Sequence, residues 1–354
     1  MADGLLSCAI YGAYGYVGRL VTFEVVKRGL RPLLLGRDPD RLAKIGEDLG
    51  LPYQVSTVDD RDTLDAVLRT RDVLLNCAGP FRITAPSLVS ACLRNKTHYM
   101  DTTGELSVIH WIVSLEDEAL RRDVMLLPGV GFDLVPSDYL ARYLKTRLSS
   151  AVELRLFRSG FEALSQGSAK TLVGALREPA YVRRRDKLVR VPIAWKRRVV
   201  DWGEGPREAV IIPWVDVLTA YRTTHVPNIE VYALTDSRIV RAIRRLRFLK
   251  PVLGIRLLRR AFSRYLANLG TPPGSLTDGS HESLIYGEVS GCDGAVAAAI
   301  LKGPDAYTVT VLAATTALQH VCSGSVRPGF QTAANLLGGA LIQEMDCFYV
   351  EDVD

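Results

Sequence analysis

The chain reads Ile10-Tyr11-Gly12-Ala13-Tyr14-Gly15-Tyr16-Val17-Gly18 directly after an apolar run, and a helix-like segment follows this stretch. Gly12 permits a tight turn, Gly15 removes a side chain that would keep a diphosphate from the backbone, and Gly18 lets the helix pack closely on the strand. The N–H groups at a helix start also favour an anion. The spacing therefore predicts a dinucleotide-binding turn in which Tyr14, Tyr16 and Val17 accompany the glycines. The alternative is a purely structural turn.

The next predicted strand, Leu33 to Leu35, ends in Gly36-Arg37. An NAD-binding unit usually places an acidic residue here to hold the ribose hydroxyls. A guanidinium can instead pair with a 2′-phosphate, so Arg37 favours NADPH over NADH as the cofactor. Arg41 either flanks the same phosphate or is simply solvated. Asp38, which precedes Pro39, is interpreted as the N-cap of the next helix.

The composition is that of a globular protein with two domains. The 354 residues are 48% hydrophobic and 23% charged, and the net charge of +5 is too small to indicate a nucleic-acid binder. The six cysteines are widely spaced and form no metal-binding pattern, which favours a reducing compartment and predicts no metal site. We find no signal-peptide pattern and no apolar run long enough to span a membrane, so we expect a cytoplasmic protein.

Residues 1–148 alternate short apolar segments with amphipathic ones, which is typical of a parallel sheet covered by helices. The predicted strands lie near 5–11, 31–36, 53–57, 72–77, 97–101 and 123–128. The predicted helices lie near 16–29, 39–49, 60–69, 84–95 and 106–121. Ligands bind outside the carboxyl ends of the strands in such sheets, so the residues that follow each strand are the candidate site.

Three loops at this edge are predicted to lie beneath the nicotinamide ring, although each could be an ordinary turn. The loop after the fourth strand consists of Asn76, Cys77, Ala78, Gly79, Pro80 and Phe81. The fifth strand is followed by Thr103 and Gly104, and the sixth is followed by a loop that contains Asp133.

The candidate catalytic residues are Tyr99, Asp101, Asp133 and Lys170. Tyr99 and Asp101 alternate along one strand end and could face the same side. Asp133 either acts in catalysis or caps the helix that follows it. Glu105 is a further acidic candidate at the same edge, and no serine or cysteine nucleophile motif is present.

These motifs, together with His98 to Glu105 and Gly131 to Asp138, resemble the saccharopine-dehydrogenase-like NADP-binding oxidoreductases. Residues 226–232 and 328–333 are similar to the branch known as trans-acting enoyl reductases. The resemblance implies an NADPH-dependent reductase on a Rossmann-type doubly wound parallel sheet, and it leaves the substrate open.

The second half of the chain has a different texture. Residues 149–304 are predicted to form an α+β domain for substrate binding or dimerisation. The predicted strands lie near 152–158, 187–191, 196–201, 208–212, 228–234, 281–289 and 295–302, with helices near 167–177 and 213–222. Two C-terminal helices, near 305–322 and 329–345, are predicted to pack back on the first domain, which would then comprise residues 1–148 and 305–354.

Residues 237–268 contain many arginines, such as Arg241, Arg244 and Arg245, and no acidic residue. This segment is either a core-packed helix with a solvated basic face, or a docking surface for an acidic carrier protein or an anionic membrane. Nucleic acid is not expected, because the interleaved residues are mostly aliphatic and offer no stacking platform.

Two classes of function follow from the sequence. The first is an NADPH-dependent reductase that acts on a small-molecule or carrier-bound acyl or imine substrate. Such an enzyme could be a homodimer. Its acceptor is an enoyl C=C bond, or alternatively a C=N bond. The second class is a catalytically silent NADP-binding sensor. The large second domain favours the reductase, since a sensor has no need of a roomy substrate pocket.

Overall fold

The computed structural model describes residues 5–159, 179–201, 205–234 and 283–353. They divide into two compact units: unit 1 comprises residues 1–139 with 306–347, and unit 2 comprises residues 140–305 with 348–354. Lys170 and the basic segment 237–268 lie outside the described residues, as does the predicted helix near 167–177.

Unit 1 contains a seven-stranded parallel sheet, here called sheet 1, with the strand order β15-β6-β5-β4-β1-β2-β3. Its strands are β1 (Cys8–Tyr11), β2 (Leu33–Gly36), β3 (Tyr53–Val55), β4 (Val73–Asn76), β5 (His98–Asp101), β6 (Met125–Leu127) and β15 (Gly329–Phe330). The central strands are apolar runs buried on both faces, as a parallel sheet with helical layers requires.

The helices of unit 1 connect these strands. They are α1 (Tyr16–Lys27), α2 (Pro39–Leu49), α3 (Arg61–Leu68), α4 (Phe81–Asn95), α5 (Leu106–Val113), α6 (Glu116–Arg122), α9 (Ala306–Cys322), α10 (Ala333–Leu337) and α11 (Ala340–Met345). The N-cap interpretation of Asp38 is confirmed, since its Oδ1 accepts a hydrogen bond from the Arg41 N–H at 3.1 Å.

The predicted helix 106–121 is two helices, because the chain turns at Ser114. The N–H and the Oγ of Ser114 both donate to the Trp111 carbonyl, at 3.0 Å and 2.6 Å, and this local bonding ends α5. The predicted helix 329–345 was also wrong at its start. Gly329 and Phe330 pair with β6 instead, and the helical turns that follow are interrupted at Gly338, where φ is +63°.

Unit 2 contains a nine-stranded mixed sheet, here called sheet 2, whose main path runs β10-β11-β12-β7-β13-β14-β16. Its strands are β7 (Ala151–Arg158), β8 (Ala180–Arg184), β9 (Lys187–Val191), β10 (Arg197–Val200), β11 (Arg207–Ile211), β12 (Asn228–Leu234), β13 (Ser283–Gly291), β14 (Val296–Gly303) and β16 (Tyr349–Val353), and its described helix is α8 (Asp216–Thr224). Helix α7 (Val135–Arg147) contains the boundary between the units. The predicted α/β class with a second α+β domain is confirmed.

Strand β16 corrects the prediction that residues 305–354 all return to the first domain. It pairs antiparallel with β14, so Tyr349–Val353 completes sheet 2. The core of sheet 2 includes the rings of Phe157 and Tyr232, which stack with centroids 4.8 Å apart, and the ring of Tyr286 lies 5.5 Å from Phe157.

Within the four described ranges, none of the helices combines the length and the apolar composition that crossing a bilayer requires.

Candidate functional site

The glycine turn between β1 and α1 is held by backbone hydrogen bonds. The Gly12 N–H donates to the Leu35 carbonyl at 2.8 Å, and the Gly15 N–H donates to the Gly12 carbonyl at 2.9 Å. Gly12 has a φ of +81°, and a Cβ there would lie 2.7 Å from the Cβ of Ala78. A Cβ on Gly18 would lie 2.1 Å from the Gly12 carbonyl oxygen. Internal packing therefore requires glycine at both positions.

Gly15 differs from its two neighbours in the motif. Its φ is −64°, which any residue can adopt, and a Cβ would approach only the Gly12 carbonyl oxygen, at 3.2 Å. The packing of the protein does not demand a glycine here. A missing side chain beside the first turn of α1 leaves the backbone open to a diphosphate, so this position fits a bound dinucleotide.

Tyr14 and Arg41 form a joined pair beside the end of β2. The guanidinium of Arg41 lies 4.8 Å from the ring centroid of Tyr14, and its Nη2 donates to the Tyr14 carbonyl at 3.2 Å. The Tyr14 ring occupies the space of a side chain at Gly36, where a Cβ would lie 2.5 Å from Tyr14 Cε1. Gly36 thus lets Tyr14 lie against β2 and present Arg41 next to the glycine turn.

A groove of about 300 Å³ continues from this pair along α1 and α2. Its lining includes three cations and one acid, namely Arg19, Arg41, Lys44 and Asp48. The excess positive charge favours an anionic ligand. Arg37 is exposed at the end of β2. Burial raises the pKa of Tyr11 to about 12, and the positive charge of Arg37 only partly opposes this shift.

The loop after β4 is organised by the buried side chain of Asn76. Its Oδ1 accepts from the Ala78 N–H at 3.0 Å, and its Nδ2 donates to Thr84 Oγ1 and to the Tyr99 hydroxyl, each at 3.2 Å. Asn76 therefore holds the loop in shape from inside the domain.

Two further features of this loop are visible. Cys77 is buried, and burial raises the pKa of its thiol to about 12, so it stays protonated near neutral pH. The peptide bond between Gly79 and Pro80 is cis.

Tyr99 and Asp101 are fully buried and bonded to each other. The Tyr99 hydroxyl donates to Asp101 Oδ2 at 2.8 Å, while Asp101 Oδ1 accepts from the N–H groups of Thr103 and Gly129 at 2.9 Å and 2.8 Å. Burial raises the pKa of Asp101 to about 6, although these three donors oppose the shift. The carboxyl joins the loops after β5 and β6, so we assign both side chains to positioning; a catalytic role for either stays a prediction.

Glu105 performs a task that the sequence did not reveal. Its Oε1 accepts from the Phe81 N–H at 2.7 Å and its Oε2 from the Arg82 N–H at 3.2 Å. A carboxylate thus caps the first turn of α4, where the helix dipole favours negative charge. The cap lies 24 residues away in sequence, and no local pattern indicates such a partner.

Asp133 lies against Gly104 and is only partly buried. A Cβ on Gly104 would lie 2.0 Å from Asp133 Oδ2, so glycine is required for the carboxylate to lie there. In the same loop, the Phe132 N–H donates to Thr310 Oγ1 of α9 at 3.2 Å. Asp133 thus retains exposed surface at the carboxyl edge of sheet 1, unlike Tyr99 and Asp101.

The comparison with known families bears directly on this edge. The family model for the saccharopine dehydrogenase NADP binding domain matches residues 8–127, which run from β1 to the end of β6.

Residues 8–127 are similar to saccharopine dehydrogenase NADP-binding domains.

Curated relatives match about two fifths of the chain. A saccharopine dehydrogenase-like oxidoreductase from Bos taurus is 27% identical over 165 residues, which cover 40% of this chain and 38% of the relative. A trans-acting enoyl reductase from Mycobacterium ulcerans is 31% identical over 146 residues, which cover 39% of this chain and 35% of the relative. The matched segments thus span about two fifths of these relatives. The resemblance stated from the motifs is confirmed for the NADP-binding domain.

The fold of the whole chain is similar to that of saccharopine dehydrogenase (L-Glu forming) from Saccharomyces cerevisiae. The TM-score is 0.69, with 99% of this chain and all of that chain covered. At 12% identity, the likeness shows the fold alone. The predicted NADP cofactor is confirmed by the family model, and the geometry of Gly15 and Arg41 provides the NADP-binding domain with an open backbone and an adjacent cation.

Proposed function

We propose that the protein is an NADPH-dependent reductase that transfers hydride to the activated C=C bond of an enoyl thioester, either coenzyme-bound or carrier-bound. The observation that carries this proposal is the open backbone at Gly15 beside the pair of Tyr14 and Arg41, with Arg37 exposed at the end of β2, in a segment similar to NADP-binding domains. The choice of acceptor is supported by the name of the mycobacterial relative, which is a trans-acting enoyl reductase.

Bound NADPH supplies the hydride, which adds to the β-carbon of the acceptor while the electron pair of the double bond moves onto the thioester oxygen. The enolate then takes a proton at its α-carbon. The chain's own residues orient the acceptor, exclude water and handle that proton. Asp133 has a titratable group and exposed surface at the sheet edge, whereas the Glu105 carboxylate accepts from the Phe81 and Arg82 N–H groups.

The alternative acceptor is a C=N bond. An imine needs a nearby carboxylate to keep its nitrogen protonated when the hydride arrives at carbon, and in this alternative Asp133 supplies it. The position of this carboxylate, against Gly104 in the loops that follow β5 and β6, is the observation that favours the alternative.

A spectrophotometric assay of NADPH oxidation separates these proposals. We expect turnover with enoyl thioesters and none with cyclic imines; the reverse result would favour the imine reductase. NADPH binding without turnover on any acceptor would overturn both and favour a silent binding protein. Gly15→Ala should raise the NADPH concentration needed for the signal at least about tenfold by obstructing the backbone, whereas Gly339→Ala, which adds the same atom in ordinary contact 3.7 Å from the Tyr139 ring, should not.

We also propose that the acceptor is delivered on an acidic carrier protein and that the enzyme works in a reducing, cytoplasmic compartment. The basic sequence of residues 237–268 supports the first point, and the six free cysteines support the second. Replacing Arg241, Arg244 and Arg245 by Gln should slow reduction of a carrier-bound substrate and spare a small thioester. Equal loss with both substrates would show that the segment is structural.

A further inference from the structure

Two exposed tyrosines meet at the start of helices α1 and α9. Tyr16 is the first residue of α1 and is 69% exposed, and Tyr307 is the second residue of α9 and is 55% exposed. Their ring centroids lie 5.0 Å apart with the planes at 78°, an edge-to-face contact. The two rings thus form a small exposed aromatic surface directly after the glycine turn.

The rings are held in place by the packing of the two helices. At the other end of the pair, Arg28 Nη1, just beyond α1, donates to Thr316 Oγ1 at 2.9 Å and to Gln319 Oε1 at 3.0 Å, both on α9. Helices α1 and α9 therefore lie side by side with their N-termini together. Tyr307 is fixed next to the glycine turn by a helix that the family model does not cover.

Tyr307 also lies beside the loop that follows β6. Thr310, one turn further along α9, shares the face of Tyr307. Its Oγ1 accepts from the Phe132 N–H at 3.2 Å, and Gly131 lies against its side chain. The Tyr307 ring thus contacts Tyr16 at the start of α9. The loop after β6 contacts the same face of α9 one turn further along.

This position corresponds to one half of a dinucleotide. In a doubly wound sheet the adenosine lies over the end of β2, the diphosphate crosses the glycine turn, and the nicotinamide extends towards the loops on the β4 side. Arg37 and Arg41 are on the adenosine side, whereas Tyr307 lies between the turn and the β6 loop.

We propose that Tyr307 is a cofactor-binding residue whose ring, supported by Tyr16, packs against the diphosphate–nicotinamide half of NADPH. The inference rests on the proposed function, and it adds a residue from outside the matched domain to the cofactor site. The contribution of Tyr307 to the binding free energy can be measured separately, because the cations Arg37 and Arg41 lie on the adenosine side of the ligand.

The test is calorimetric titration of the full chain with NADPH and with 2′,5′-ADP, which lacks the nicotinamide half. Tyr307→Ala should raise the Kd for NADPH about tenfold, the size of one lost aromatic contact with its buried area, and leave the Kd for 2′,5′-ADP unchanged. Tyr307→Phe should bind NADPH like the native protein, since the ring is retained. Tyr349→Ala, which removes a still more exposed ring (77%) in unit 2, should have no effect on either ligand.

Three results would contradict the inference. An unchanged Kd for NADPH in Tyr307→Ala would show that the ring makes no contact, and equal weakening of both ligands would show that the change acts on the domain as a whole. A matched thermal unfolding curve without ligand distinguishes the latter from a local effect. If the native protein binds neither NADPH nor 2′,5′-ADP, the proposed function itself fails, and this inference fails with it.

Discussion

The hydroxyl of Tyr99 donates a 2.8 Å hydrogen bond to Oδ2 of Asp101, and neither side chain has any exposed surface. The pair ties β5 to its neighbours from inside the domain, since Asn76 of β4 bonds to the same hydroxyl and the Gly129 N–H bonds to the same carboxyl. Buried polar networks of this kind stabilise only when every member is satisfied. The NADP-binding edge of sheet 1 should therefore respond sharply to changes in this network.

Asp101→Asn should lower the free energy of unfolding by about 1–3 kcal/mol, because the amide cannot accept the Tyr99 hydrogen bond with its Nδ2. The variant should also lose the pH dependence of stability that the Asp101 carboxyl causes. Folding raises the pKa of Asp101 from 3.8 to about 6, so the folded state binds the proton more tightly and stability falls as pH rises from about 4 to about 6. That loss is about 3 kcal/mol at roughly 1.4 kcal/mol per pKa unit.

Denaturant titrations at several pH values between 3.5 and 7 would measure this loss, with about half a pH unit between points being sufficient for a transition this broad. Tyr99→Phe is the control: it removes a hydrogen bond but keeps the carboxyl, so the pH dependence should persist. An identical pH profile for the native protein and Asp101→Asn would show that Asp101 does not titrate in this window.

Glu105→Ala should destabilise unit 1 by about 1–2 kcal/mol, because two N–H groups at the start of α4 lose their acceptor and the helix dipole loses its counter-charge. Glu118→Ala is a matched control on a surface helix, where a pair with Arg122 at 2.9 Å is half exposed and should contribute less than about 1 kcal/mol. Chemical denaturation measures both. Equal losses of stability in the two variants would mean that the Glu105 cap contributes no more than an exposed ion pair.

Gly15→Ala and Gly18→Ala should fail in different ways. The alanine methyl at position 18 would lie 2.1 Å from a backbone oxygen, so the turn must move and the protein should be strongly destabilised or insoluble. At position 15 the nearest atom is 3.2 Å away, so the fold should survive while NADPH affinity falls at least about tenfold. Circular dichroism and calorimetry would separate the two results, and normal NADPH binding by Gly15→Ala would contradict the assigned diphosphate position.

Arg37→Asp should weaken NADPH binding far more than NADH binding, since a charge-assisted contact to the 2′-phosphate accounts for about 1.5–3 kcal/mol. Arg69→Asp makes the same charge change at an exposed site after α3 and should alter neither affinity by more than about twofold. If Arg37→Asp left the preference intact and Arg41→Gln abolished it, the phosphate would be held by the Arg41–Tyr14 pair instead.

Glu230→Gln should destabilise unit 2 by about 3–5 kcal/mol, because this buried carboxylate compensates several cations. It accepts from Lys196 Nζ at 2.9 Å and 3.1 Å and from the Tyr232 hydroxyl at 2.6 Å, and it also pairs with Arg155 and Arg184. Burial opposes its ionisation, but these partners outweigh burial and hold the pKa of Glu230 below its ordinary value.

Because the folded pKa is depressed, the stabilisation should be present above about pH 4.5 and disappear as pH falls below that value. Glu351→Gln, which disrupts an exposed pair with Lys302 at 3.4 Å, is the control and should cost less than about 1 kcal/mol. Acid-titrated unfolding would show the difference; a native and a Glu230→Gln protein of equal stability at pH 7 would contradict it.

The sequence predicts most of sheet 1 because its signals are local. Central parallel strands are continuous apolar runs, and Asp38 with Pro39 marks a helix start that the structure reproduces. Strand β15 is different: a two-residue strand has no period, and only the register with β6 identifies it. Edge strand β16 is largely exposed and does not alternate buried with exposed residues, so its partner β14 defines it rather than its own pattern.

The candidate site also contains some features that have a local sequence signal and others that depend on distant residues. The glycine turn and Gly36 could be found by spacing, and the structure explains Gly12, Gly18 and Gly36 by a specific neighbour. The cap from Glu105 and the contact between Tyr16 and Tyr307 could not be found, because both join residues that are distant in sequence and no local rule fixes their side-chain directions. Lys170 stays a prediction.

Unit 1 is assembled from two separate parts of the chain, with the whole of residues 140–305 translated between them. Until the ribosome has made Gly329 and Phe330, the outer side of β6 lacks its partner strand. Helix α9, which carries Tyr307, is likewise synthesised after nearly all of unit 2. The nucleotide-binding half is thus the first to begin emerging from the ribosome, and it must wait until late in translation for its final strand and helices.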